Sequence, residues 1–286
     1  MDALDIILNL TAAIITGSIV MIAGTLQGTI DSLSKIFVYI GLKHSKKPAD
    51  REHPFGYGKS LYISTFLSGI FMFAVTAVVT FYIGLQRFVN PQEIKNIWLA
   101  WIILFVALIS NFYSFCIGFK RILGERKIKK FVKAYKESAF LETKTTLILD
   151  LTGTLAILFG LIALLLHHFT GNWKFDGIGA MLIGLTLGVL TLYLLNNTRH
   201  FLIGKRAHPK IENKIKECIL SVKNVKEVLD LKTMNLGLSK ILVNVEINVD
   251  ENLKTRQIEK LMDKIRAKVQ KEIKEVSHIQ IELETR

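Results

Sequence analysis

Charge is missing from long stretches of this 286-residue chain. Ser60–Gln86, Asn96–Phe119 and Gly177–Thr198 contain no Asp, Glu, Lys or Arg. Each run exceeds the roughly 20 residues that cross about 30 Å of hydrocarbon. A helix of that length in a soluble core carries a polar stripe; these carry none, which excludes a soluble globular chain. Cysteine is scarce: Cys116 and Cys218 fall in different regions, at no metal-ligand spacing, and read as two buried thiols without a disulfide framework. The start, Met1-Asp-Ala-Leu-Asp5, lacks the basic segment of a cleaved secretory peptide. No nucleophile–base pair, glycine-rich phosphate loop or cofactor motif occurs, so an enzyme is unsupported and no cofactor is expected.

Acidic residues are also few, 24 against 37 Lys and Arg, for a net charge of +13. Such an excess can mark nucleic-acid binding, but its placement argues otherwise. The linker Lys43–Lys59 carries five Lys or Arg and Lys120–Lys144 carries nine, whereas the opposite connections hold only Arg87, Lys95 and Lys174. This asymmetry places both basic linkers in the cytoplasm of a multi-pass cell-membrane protein, and attraction to anionic lipid accounts for the charge without nucleic acid.

The apolar pattern predicts helices over about Ser60–Phe88, Asn96–Leu123, Leu141–His167 and Phe175–Leu195. Asn90-Pro91 and Thr170-Gly171-Asn172 supply the turns. The N-terminus allows two readings. Ile6–Ile30 is uncharged and could form one span; alternatively Gly17-Ser18 is a turn between a helix ending near Thr16 and a second over Ile19–Leu42. The second reading leaves a first helix of about 15 residues, ~22 Å long.

From Ala207 onward charge is dense, which divides the chain into a membrane domain, 1–204, and a cytoplasmic domain, 205–286. The tail reads helix, strand, strand, helix, strand. Ile211, Ile215, Cys218, Ile219 and Val222 form one helical face, and Ile258, Leu261, Met262, Ile265, Val269 and Ile273 another. Ile241, Val243, Val245, Ile247 and Val249 alternate as a half-buried strand after a turn at Asn235-Leu-Gly237, and Ile279, Ile281 and Leu283 make the last strand. Two helices on one face of a three-stranded sheet are expected.

An ionisable residue inside a membrane helix costs about 2.5–3.5 kcal/mol on insertion scales and calls for a reason. Asp150 interrupts Thr145–Leu166, and Asp31 becomes a second case if the Gly17-Ser18 turn is accepted. Gln27 and Thr146 precede the two aspartates by four residues, on the same helix faces. Two carboxylates, an amide and a hydroxyl brought together make an oxygen-rich set for a divalent cation. Lys35, one turn after Asp31, is placed for an intrahelical charge pair or for snorkelling to water. Lys59 opens the third helix as a candidate inter-helix ion pair, with headgroup contact as the plainer alternative.

The stretch Lys46-Lys-Pro-Ala-Asp-Arg-Glu-His-Pro-Phe-Gly-Tyr-Gly-Lys59 resembles the cytoplasmic linker of the cation diffusion facilitator family, in the branch of the mitochondrial zinc transporter nine type. Leu202-Ile-Gly204, Thr233-Met-Asn-Leu-Gly237 and Asn244-Val-Glu246 are similar to that branch as well. The resemblance implies a proton-coupled divalent metal exporter, usually homodimeric. It implies an all-α membrane domain of six helices, the first one short here, and a cytoplasmic α+β, metallochaperone-like (ferredoxin-like, αββαβ) domain. It also favours the two-helix reading of the N-terminus. The family's transport positions fall on Gln27 and Asp31, and on Thr146 and Asp150. Members usually carry Asp or His where Gln27 stands and His or Asp where Thr146 stands. Zinc prefers nitrogen and sulfur donors, so the oxygen set here shifts the expected substrate from zinc towards manganese or iron(II). Loss of the histidine leaves proton coupling to the two aspartates. The alternative is a transport-inactive scaffold or partner subunit that keeps the fold with a degenerate site. Asp50 and His53 in the linker, with Glu52, are a possible peripheral metal site, with a solvated turn that caps the third helix as the equal alternative; His167-His168 read as interfacial residues, with a low-affinity release site as the alternative. The branch often has His where Asn235 stands, which weakens metal sensing by the tail.

Overall fold

A computed structural model describes residues 2–123 and 141–284. The chain forms two compact units, one of residues 1–39 and 65–197, the other of residues 40–64 and 198–286.

The first unit is helical. Helix α1 spans Asp2–Thr16 and α2 Ile19–Ser45, with α3 over Ser60–Val89. Ile97–Leu123 forms α4, Leu141–Thr170 α5 and Lys174–Ile203 α6. The last helix runs eight residues past the Leu195 that hydropathy predicts, because Asn196, Asn197, Thr198, Arg199 and His200 continue it in polar residues. Among the described residues, four helices, α3 to α6, are long and apolar enough to cross a membrane, while Ile6–Thr16 is a shorter apolar helix. Their outward faces are apolar: Ile14 is 76% exposed, Trp98 71% and Ile102 62%, which water would not support over such an area.

Gly17 (φ +68°) ends α1, its N–H donating to the Ala13 carbonyl at 2.9 Å. The break between α1 and α2 is therefore a glycine-terminated turn, as the two-helix reading expects. Close packing on α6 uses small residues. A Cβ added at Gly177 would lie 2.6 Å from the Phe88 nitrogen, and one at Gly184 2.7 Å from that of Phe81. From the α3 side, a Cβ at Gly84 would meet the Met181 nitrogen at 2.7 Å. Within α3, Met72–Val79 widens into a π-helical stretch.

The second unit contains α7 (Pro209–Leu220), β1 (Val225–Gly237), β2 (Lys240–Val249), α8 (Thr255–Glu272) and β3 (Val276–Leu283). The sheet order is β1-β2-β3, with β1/β2 antiparallel and β2/β3 parallel. Ile215, Ile219, Val243, Val245, Ile247, Ile265 and Val269 are fully buried between helices and sheet, each stabilising by about 1.5–3 kcal/mol. The hairpin turn falls later than the Asn235-Leu-Gly237 expected from sequence. Asn235 and Gly237 still pair with Ile241 and Lys240, and Leu238-Ser239, with Ser239 at φ +51°, makes the loop.

Candidate functional site

Helices α2, α4 and α5 meet at two glycines. On α5, a Cβ added at Gly153 would lie 2.6 Å from Asn111 Oδ1 of α4 and 3.7 Å from Gln27 Nε2 of α2. On α4, a Cβ at Gly118 would lie 3.3 Å from Leu147 and 3.6 Å from Asp150 Oδ2. The missing side chains let α4 and α5 approach and leave a notch into which polar groups of three helices turn. Gln27, Asp31, Asn111 and Asp150 are each half-buried. Asp31 stands one turn beyond Gln27 on α2, and Gly153 less than one turn beyond Asp150 on α5. Lys35 is exposed on α2, and its charge acts on the Asp150 carboxylate. The Thr146 side chain lies outside the described residues, as does 124–140, most of the second basic linker.

The anchor of α2 went unrecognised in the sequence. Asp176, fully buried at the start of α6, accepts hydrogen bonds from Ser18 Oγ (2.6 Å), Ile19 N (2.8 Å) and Val20 N (3.3 Å). It thus caps the N-terminus of the helix that carries Gln27 and Asp31. Arg87 pairs with it at 3.4 Å (Nε to Oδ2), donates to the Gly17 carbonyl, and donates to Gln92 at 2.9 Å. Asp176 borders an uncharged run and passes for a helix-end residue. Asn111 leaves a clearer signal, an amide inside the uncharged run of α4.

The linker candidates lie in the second unit. Asp50 Oδ1 accepts from the His53 backbone N–H at 2.7 Å, and Oδ2 from the Tyr57 hydroxyl at 2.7 Å. The Tyr57 hydrogen bond, with that of the His53 N–H, holds the Asp50 carboxyl below its ordinary value. The His53 imidazole stands 3.7 Å from Asp50 and against the Tyr57 ring at 4.1 Å. Asp50 thus organises a turn with both oxygens in use. Lys59 Nζ donates to the Leu202 carbonyl at 3.3 Å, in the last turn of α6. Asn235 Nδ2 donates to the Lys205 and Arg206 carbonyls, both at 2.9 Å, which ties β1 to the segment after α6. His208 caps α7, accepting from Lys210 N, and His278 packs edge-on to Phe55. His167 stacks on Trp173 at 4.1 Å while His168 faces Trp98 at 6.0 Å, so the two rings serve different aromatic contacts. Among the described residues, no three His, Cys, Asp or Glu side chains cluster as a metal site.

Together these features define a multi-pass helical membrane protein with a small α+β C-terminal domain and carboxylates inside its helices. Two family models match it: the cation efflux transmembrane domain over residues 1–203 and the cytoplasmic domain of cation efflux proteins over residues 207–286. The chain belongs to the cation efflux family, the cation diffusion facilitators. Among its relatives, the mitochondrial proton-coupled zinc antiporter SLC30A9 of Mus musculus is 26% identical over 257 residues, covering 89% of this chain and 45% of the mouse protein. The chain thus spans about half the length of that relative. The cation-efflux pump FieF of Shewanella oneidensis is 24% identical, covering 90% of this chain and 82% of its own. The manganese efflux system protein MneP of Bacillus subtilis is 24% identical, covering 91% and 84%.

Proposed function

We propose that this protein exports a divalent cation in exchange for protons by alternating access, with Asp31 and Asp150 as the carboxylates that carry both. The observation behind this reading is the three-helix junction of a cation efflux chain, where Asp150 and Gln27 turn into the space left by Gly118 and Gly153. Six helices cross the cell membrane, α1 being the short one, with the linker and the C-terminal domain on the cytoplasmic side. On that side the deprotonated carboxylates bind the ion together with oxygens of Gln27 and Thr146. On the other side protons displace it, because a protonated carboxyl no longer offers a charged donor. An all-oxygen set favours manganese or iron(II) over zinc relative to a histidine-bearing site. Zinc stays in the candidate range, since a relative is named a zinc antiporter. The protein works as a homodimer held through the C-terminal domain. No covalent chemistry is involved.

The test is uptake of zinc, manganese, iron(II) and cobalt by proteoliposomes under an imposed pH gradient, with Asp31→Ala and Asp150→Ala alongside. The expected result is flux for at least one ion that either substitution abolishes. Folded protein that moves none of these ions would overturn the reading.

A further inference from the structure

Asn111 belongs to none of the transport positions above, yet its carboxamide is fixed towards them. Its Nδ2 donates to the Ala107 carbonyl one turn earlier at 3.0 Å. That bond points the other end of the amide, Oδ1, into the Gly153 notch, 2.6 Å from where a Cβ would stand. Into the same notch, from α2, turns Gln27 through Nε2, 3.7 Å from that point. A carboxamide offers two N–H donors at one end and a carbonyl acceptor at the other. With Asn111 presenting an acceptor, Gln27 is favoured with its nitrogen towards the notch. Its Oε1 is then the end left for a cation. Reversed, Gln27 would turn a second carbonyl oxygen towards the same notch and offer N–H groups to a positive ion.

We propose that Asn111 is a positioning residue for the transport site: through the Gly153 notch it orients Gln27 so that the Gln27 carbonyl oxygen, rather than its amide nitrogen, faces the cation held by Asp31 and Asp150. The inference rests on the transport reading above. It explains how a neutral side chain can stand where the family usually has Asp or His and still serve as a ligand, since an oriented carbonyl suits manganese or magnesium. It also gives Gly153 a role: a methyl there would displace Asn111 Oδ1.

The experiment is a double-mutant cycle on manganese and zinc flux in proteoliposomes, with Asn111→Ala, Gln27→Ala, the double variant, Asn111→Asp and Gly153→Ala. Asn111→Ala and Gln27→Ala should each raise the half-saturating manganese concentration roughly 3–10-fold, the range of one neutral ligand interaction. The double variant should do no more than the larger single change, because Asn111 acts only through Gln27. Gly153→Ala should resemble Asn111→Ala. Asn111→Asp, which keeps an acceptor but loses the donor to the Ala107 carbonyl, should retain more of the wild-type manganese preference than Asn111→Ala does. Additive effects of Asn111→Ala and Gln27→Ala, or reduced folding yield with an unchanged half-saturation and ion order, would overturn the inference and leave Asn111 as a packing residue. Flux that ignores Asp31→Ala and Asp150→Ala would instead sink the transport reading itself. The two failures are therefore separable.

Discussion

At the residue scale, a deeply buried electrostatic constraint in the helical unit is the pair Arg87–Asp176. Both side chains are almost wholly removed from solvent, 5% and 0% exposed. A buried carboxylate persists only when it is paired and hydrogen-bonded, and here the α2 N-terminus supplies three donors beside the guanidinium. Removing one partner leaves an uncompensated charge. Arg87→Met is expected to lower stability by roughly 3–5 kcal/mol, seen as a drop in thermal unfolding midpoint of the detergent-solubilised protein. Adding Asp176→Leu should recover part of the loss, because the orphaned carboxylate is then gone. Additive losses would show that the pair is not coupled.

At the element scale, two sequence motifs with nothing obvious in common meet in space. Gly58, the last glycine of the linker stretch His53-Pro-Phe-Gly-Tyr-Gly58, lies against Leu236 and Gly237 of the β1–β2 hairpin. A Cβ at Gly237 would fall 2.6 Å from the Gly58 Cα, and the Leu236 carbonyl oxygen blocks any Cβ at Gly58. Phe55, in the same linker stretch, meets His278 of β3 at 5.3 Å between ring centroids. Gly58→Val should therefore detach the linker from the hairpin. The expected readout is faster amide hydrogen exchange at Leu236 and Gly237, with the α7–α8 core unchanged. Unaltered exchange at the hairpin would mean that the glycine contact does not hold the linker. Each motif stood out in the sequence, but nothing along the chain signals that two glycines 179 positions apart share one contact. The tail was more legible, since strict alternation over Ile241–Val249 fixes both the strand and its buried face. Only the hairpin turn shifted, because Asn235 and Gly237 stay in the ladder.

At the scale of the whole molecule, the basic linkers give the chain a direction. If Lys43–Lys59 and the C-terminal domain face the cytoplasm, Asn172 and Lys95 face the other side. With Cys116 and Cys218 replaced by serine, Asn172→Cys should react with a membrane-impermeant maleimide in intact cells. Lys274→Cys should react only after permeabilisation. The reverse pattern would invert the proposed direction of transport.

By itself the sequence determined that this is a multi-pass membrane protein with an α+β tail. Long uncharged runs and alternating strands are local properties, dictated by the cost of placing charge in hydrocarbon and by the two-residue period of a strand. It also marked Asp31 and Asp150, since a carboxylate in an apolar helix stands out wherever it falls. Tertiary structure alone decided the rest. It capped α2 with a carboxylate 158 residues away, and it brought the amides of Asn111 and Gln27 to the same glycine, Gly153. It also joined the linker to the hairpin through two glycines. Neutral amides and glycines carry little signal one at a time, because their effect depends on which backbone or dipole lies opposite, and only the packed chain sets that.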